Sequence, residues 1–227
     1  AFDPSIRPWW EYMRVVTKAR SDAVRTTPMN VESIDLSTWE SALPSAGFEV
    51  FHTPEALDVL ADHAPGELRL YAGFKGDQPV ALAPLFVQER SVARAVFSPP
   101  PSMGVPRLGP LVMPNSPKPR KQEAVNRHFT DGLVEAADLD GSRTLVRMSF
   151  PPEYDDPRPF RWADFDLDTA FTYVVGTDGV TEESLLTSFS KSLRRDVRKA
   201  IESDVTVSVE GAEAARRIYA DVAARYE

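Results

Sequence analysis

The chain has no cysteine in its 227 residues. Disulfides, thiol nucleophiles and Cys-ligated zinc or iron–sulfur centres are therefore excluded. It also lacks any apolar run near the roughly 20 residues that a bilayer-spanning helix needs. Trp9 and Trp10 sit among charged residues rather than in an apolar h-region. The opening therefore does not read as a secretory signal, and a cytoplasmic setting is expected. Lysine is scarce, 6 against 20 arginines, and isoleucine appears only four times. Acidic residues outnumber basic ones 34 to 26, for a formal charge of -8. Such a balance opposes sequence-independent coating of nucleic acid. An acidic surplus with few lysines suits solubility in concentrated salt, where repulsion is screened within about 3 Å at 1 M. A GC-rich genome produces the same usage, so both origins stay open. Hydrophobic residues make up 42%, enough for a real core. On length the chain is one large domain or two small ones.

Residues 1–30 are expected to form an N-terminal extension, with Pro8, Trp9, Trp10, Tyr12, Met13, Val15 and Val16 spaced for a short amphipathic helix. A cap on the main domain is the alternative. From Val31 onward the patterning is regular. Ser33–Trp39 reads as a turn into a short helix, and Phe48–Phe51 as a strand. Thr53-Pro54-Glu55 is a strong helix start, with Ala56, Leu57, Leu60 and Ala61 on the buried face. Glu67–Phe74 and Val80–Val87 form a hairpin about the Lys75–Gln78 turn, and Arg94–Phe97 is a further strand. Ser98–Arg120 holds eight prolines in 23 residues, which excludes a helix or central strand. Within it, Leu108–Met113 could form a short strand. Lys121–Leu139 is helical, with Ala124, Val125, Phe129, Leu133, Val134 and Ala137 facing the core. Strands are expected at Thr144–Phe150 and Phe160–Asp168. The fold class is α/β (α+β), a mixed sheet flanked by helices, over 31–170.

A second unit is expected over 171–227: a strand at Phe171–Val175, a helix from Thr181 to about Ser203, a strand at Val205–Val209 and a helix at Gly211–Tyr226. Leu186, Phe189, Leu193, Val197 and Ala200/Ile201 would bury one stripe, and Ala215, Ile218, Tyr219 and Val222 another. A strand–helix–strand–helix unit leaves its sheet unfinished, so it reads as the first half of a second domain, with a natural C-terminal helix ending on Glu227 as the alternative.

Two stretches could carry chemistry. Lys191, Arg195 and Lys199 repeat every four residues, beside a row of Arg194 and Arg198, with Asp196 the one acid among them. Five cations suit phosphates, whether of coenzyme A, a nucleotide or the tRNA backbone. An ordinary solvated face is the alternative. The second stretch is the proline-stiffened loop Ser98–Leu111. Its Gly104 and Gly109 would let backbone approach a ligand, with Ser102 and Arg107 beside them; a rigid connector is the alternative. Phosphate-loop, dinucleotide and nucleophile-elbow signatures are absent. His52, His63 and His128 lie far apart, so no histidine metal site is expected. The Glu153, Asp155 and Asp156 cluster reads as a solvated acidic loop.

The tract Thr181–Val207 resembles the entry to the second domain of Fem-type proteins, double-domain members of the GNAT acyltransferase superfamily. The likeness rests on Leu193, Arg194, Arg195, Val197, Arg198, Lys199 and Ala200, and more weakly on Phe48–Leu57 and the 98–111 loop. It implies transfer of an acyl or aminoacyl group to a small-molecule or peptide amine. It implies acetyl-CoA or aminoacyl-tRNA as donor, with tRNA as a partner in the second case, and no further required cofactor. Ser102, Gly104, Arg107 and Gly109 would border the acceptor. Lys191, Arg194, Arg195, Arg198 and Lys199 would hold anionic groups. A non-catalytic module that uses the basic helix to bind nucleic acid or anionic lipid is the competing reading. The R/Q-x-x-G-x-G/A pyrophosphate signature of ordinary GNAT enzymes is not present.

Overall fold

The computed structural model describes residues 29–173, 175–176, 178–203 and 205–225. The helix expected within residues 1–28 lies outside that range. The chain divides into two compact units, Ala1–Ala170 and Phe171–Glu227.

The first unit is built on a hairpin. Strand β2 (Glu67–Lys75) turns through Gly76 into β3 (Gln78–Glu89), and the two pair antiparallel along their length. β3 is buried from Val80 to Val87. Such a continuous apolar run marks a strand covered on both faces. Tyr71, Ala81, Ala83, Leu85 and Val87 face one core cluster, while Leu70, Ala72, Leu82 and Phe86 face the other. β1 (Asn30–Ile34) pairs antiparallel with β2. It begins inside the stretch expected as an extension. On the other edge, β4 (Arg94–Ser98) pairs antiparallel with β3, and β6 (Thr144–Met148) pairs parallel with β4. The two-residue β5 (Leu111–Val112) also pairs with β3. The result is a mixed six-stranded sheet.

Helices cover both faces. On one side, α1 (Leu36–Ala42) and α2 (Pro54–His63) contribute Trp39, Leu57 and Leu60. Asp35 caps α1 by accepting from the Thr38 amide at 2.7 Å, and Thr53 caps α2. Ala56 is only partly covered and Ala61 is exposed. On the other side, α3 (Pro119–Ala136) sets Phe129, Leu133 and Val134 on the sheet. It approaches β1 so closely that a Cβ at Gly132 would stand 2.6 Å from the Met29 carbonyl oxygen. The fold is thus a mixed sheet flanked by helices, as the pattern implies.

Two strands expected in the first unit are absent. Val50–His52 is a 3-10 turn, because Glu49 and His52 satisfy each other's backbone and His52 is drawn into the core. The Phe160–Asp168 region starts instead with a short helix, α4 (Arg158–Trp162), opened by Pro157 and Pro159. The alternating aromatics Phe160 and Phe165 both turn inward, with ring centroids 5.9 Å apart. The proline-rich stretch also contributes more than a loop. Ser98 ends β4, β5 lies in the sheet, and α3 starts at Pro119, where a missing N–H costs nothing.

The second unit is helical: α5 (Glu182–Ser188), α6 (Lys191–Glu202) and α7 (Ala212–Ala223). The single helix expected over 181–203 is two. Ser190 leaves helical geometry and caps α6, its hydroxyl accepting from the Leu193 amide at 3.3 Å. Residues 205–209 and the described part of 171–175 form no strand ladder. The expected buried stripes are open too. Leu193, Ile201, Ile218, Tyr219 and Val222 are exposed, and Ala214 is the one buried side chain among the described residues of this unit.

Candidate functional site

Pro84 marks where the strand line beside β3 is broken. It has no N–H to give a ladder and sits mid-strand in β3. On that edge β4 serves Phe86–Glu89 and β5 serves Ala81–Leu82, so the two short strands form one line with Pro84 at the gap. The Pro84 carbonyl is taken by the buried Ser98 hydroxyl at 2.7 Å. There the chain leaves the sheet through a cis Ser98–Pro99 bond and returns at Leu111. Residues 99–110 are therefore an excursion from the middle of a strand line.

The excursion meets the loop after β6. The Ser149 amide donates to the Ser98 carbonyl at 2.7 Å, and the Leu108 amide donates to the Ser149 carbonyl at 3.0 Å. Both loops thus lie at the carboxyl ends of the parallel β4–β6 pair. Phe150, Tyr154, Phe160 and Phe165 form an aromatic cluster beside them. Burial pushes the Tyr154 phenol well above its usual range, so it stays protonated. Its proton goes to Asn126 Oδ1 at 2.7 Å, which makes it a packing group.

A polar latch holds the far side of the excursion. His52 is fully buried, and its Nε2–H donates to the Leu108 carbonyl, with Gly109 O at 3.3 Å. Its Nδ1 accepts from the Glu49 amide at 3.3 Å. Arg107 Nε donates to Glu49 Oε1 at 2.7 Å. Trp39 Nε1 donates to the His52 carbonyl at 2.8 Å and anchors the turn to the core. Burial holds the His52 pKa below its ordinary 6.5, against the pull of its carbonyl partners.

The four loop residues singled out from the sequence separate accordingly. Ser102 (φ 65°) and Gly104 (φ 70°) form an exposed left-handed tip, and a Cβ at Gly104 would meet nothing within 4 Å. Arg107 is partly exposed at the base. Gly109 (φ 40°) is buried, and a Cβ there would lie 2.9 Å from Phe150 Cα. The close approach expected of Gly109 is therefore to Phe150, not to open space for a ligand. Sequence reasoning missed Glu49 and Pro84, named Ser98 only as the first residue of the loop, and set His52 aside. It also missed Lys118, Arg120 and Lys121, exposed cations at the start of α3 with no acid in the first turn. A run of three cations around a helix-opening proline was the available signal.

In the second unit, Lys191, Arg194, Arg195, Arg198 and Lys199 all fall on α6, on one broad arc. Arg195 lies 3.6 Å from Asp196, and Arg194 Nη1 donates to the Thr187 carbonyl at 3.3 Å. Among the described residues, no group of three or more histidine and acidic side chains could hold a metal. Nor is any helix long and apolar enough to cross a membrane.

No protein-family model matches the chain, and no curated protein matches it. Among solved structures, the aminoglycoside N-acetyltransferase AAC(6')-Iy in complex with CoA is similar at 12% identity and a TM-score of 0.34, over 68% of this chain and 98% of that one.

Proposed function

We propose that the first unit is an N-acyltransferase of GNAT-like architecture, passing an acyl or aminoacyl group to an amine at the carboxyl ends of β4 and β6. One observation carries this reading: the parallel pair ends in two abutting loops at the point where the β4–β5 line is broken. In open α/β sheets, ligands settle outside the carboxyl ends of strands where connections part. The Fem-type variant, with aminoacyl-tRNA as donor, rests chiefly on the 181–209 tract and more weakly on Phe48–Leu57 and the 98–111 loop. Acetyl-CoA is the other donor weighed, and both carry phosphates that Lys118, Arg120 and Lys121 would complement.

In the transfer, the amine nitrogen attacks the donor carbonyl carbon. A C–N bond forms, the C–S bond of a thioester or the C–O bond of an ester breaks, and the amine loses a proton as the leaving group departs. Orientation of the two reactants can supply roughly 7–11 kcal/mol of the barrier, and backbone N–H groups can hold the oxyanion. Ser102, Gly104 and Arg107 border the acceptor in this reading, with Glu49 and His52 fixing the loop that presents them.

The test incubates the full chain with a panel of amines and either acetyl-CoA, read by thiol release, or charged tRNA, read by aminoacyl transfer. Turnover with one donor is expected. Arg107→Met should lower kcat/KM about tenfold or more through misplacement of the loop. It should shift stability by under about 1 kcal/mol, since the pair with Glu49 is partly solvated. No turnover with either donor, or full activity of the variant, rejects the assignment.

A further inference from the structure

α6 presents two arcs of opposite character. At about 100° per residue, Leu193, Val197, Ala200 and Ile201 fall together. The five cations take the other side, against only Asp196 and Glu202 along the helix. Leu193 is 44% exposed and Ile201 69% exposed, so the apolar arc lies open. Lys191, Arg198 and Lys199 form no ion pair among the described residues. The open arc needs an apolar medium, and the cations need a dense array of anions beside it. Nucleic acid offers the phosphates but gives Leu193 and Ile201 nothing to enter. An anionic bilayer offers both, with headgroup phosphates at the level of the cations and acyl chains just beneath.

We infer that α6 docks on an anionic membrane surface, lying in the interface plane with Leu193, Val197 and Ile201 toward the acyl chains and the arginines and lysines reaching the headgroups. This is surface attachment, not spanning, and it needs nothing from the transfer reaction of the first unit. The geometry also explains the unit's thin packing, because helices of this length are marginal in water unless an apolar face is covered.

The experiment is co-sedimentation of the full chain with vesicles of phosphatidylcholine alone and with phosphatidylglycerol added, beside a separate titration with tRNA. Binding to the phosphatidylglycerol vesicles alone, with a rise in helical circular dichroism, is expected. Arg194→Glu with Arg198→Glu should weaken it about tenfold or more, as loss of surface cations does. Ile201→Ser should weaken it by a similar factor through the apolar arc. Helical circular dichroism in the absence of vesicles, equal to that of the unchanged chain, together with an unchanged thermal transition of the first unit, shows that both variants keep their structure. Absence of phosphatidylglycerol-dependent binding overturns the inference. So does binding that ignores Ile201→Ser, or tRNA binding in place of vesicle binding, since either makes phosphates alone the partner.

Discussion

At His52 both ring nitrogens are already engaged. Nε2 gives its proton to the Leu108 carbonyl, and Nδ1 accepts from the Glu49 amide. Burial is what disfavours a second ring proton and keeps the folded-state pKa below the ordinary 6.5, against the carbonyls of Gly109, Leu108 and Glu49, the last lying 3.3 Å from Nδ1. The unfolded chain therefore binds the proton more readily than the folded one, and stability falls as pH drops through 6.5 toward the lower folded-state value. Urea midpoints measured between about pH 5 and pH 8 should show this loss, and His52→Gln should remove that part of the slope while lowering stability throughout. An unchanged slope in the variant would refute the role given to His52. Arg107 and Gly109 were legible as notable residues in a stiff loop. Their partners were not. Glu49 and His52 lie more than fifty residues away in sequence, and no periodicity links a turn to a loop across a sheet.

Elements were legible wherever their own patterning decided them. The β2–β3 hairpin, α2 and α3 announce themselves by alternation, a Thr-Pro start and a helical stripe. Where tertiary contacts decided, the pattern misled. Phe48–Phe51 alternates like a strand but is pulled into a turn by His52, and Phe160 and Phe165 are aligned by an aromatic cluster rather than by a ladder. β1 was hidden because five residues beside a helix start carry little signal. The contact of α3 with β1 gives a direct check. Gly132→Ala puts a methyl 2.6 Å from the Met29 carbonyl oxygen and 2.7 Å from Val31 Cγ2. Although alanine favours helices, the forced separation should cost about 1–3 kcal/mol. A thermal midpoint equal to that of the unchanged chain would show that the two elements can part freely.

The molecule as a whole is uneven in how it is held. The first unit has two buried clusters on opposite faces of one sheet, whereas the second leaves Val205, Val207 and Val209 exposed and buries Ala214. Amide exchange of the full chain in water should separate them. β2, β3 and α3 should be protected to near the global unfolding free energy, and α5, α6 and α7 should exchange close to the rate of an open chain. Equal protection across both units would contradict this division. The second unit was also the least legible region. Its helix patterns were plain, but a stripe of apolar residues states only that a partner is needed, not which one.

The break at Pro84 has a consequence for how such a chain can change over evolutionary time. Val96 is pinned opposite Val87 and Leu111 opposite Leu82, one on each side of the gap. The exposed part of the segment between these two clamps can lengthen, shorten or exchange its side chains without a slip of register in either strand. At the tip Ser102 and Gly104 are exposed while Met103 packs on the core, and the base at Arg107–Gly109 is locked. The exposed tip residues can therefore diversify while foldability is conserved at the base, and the two demands are inherited on separate residues.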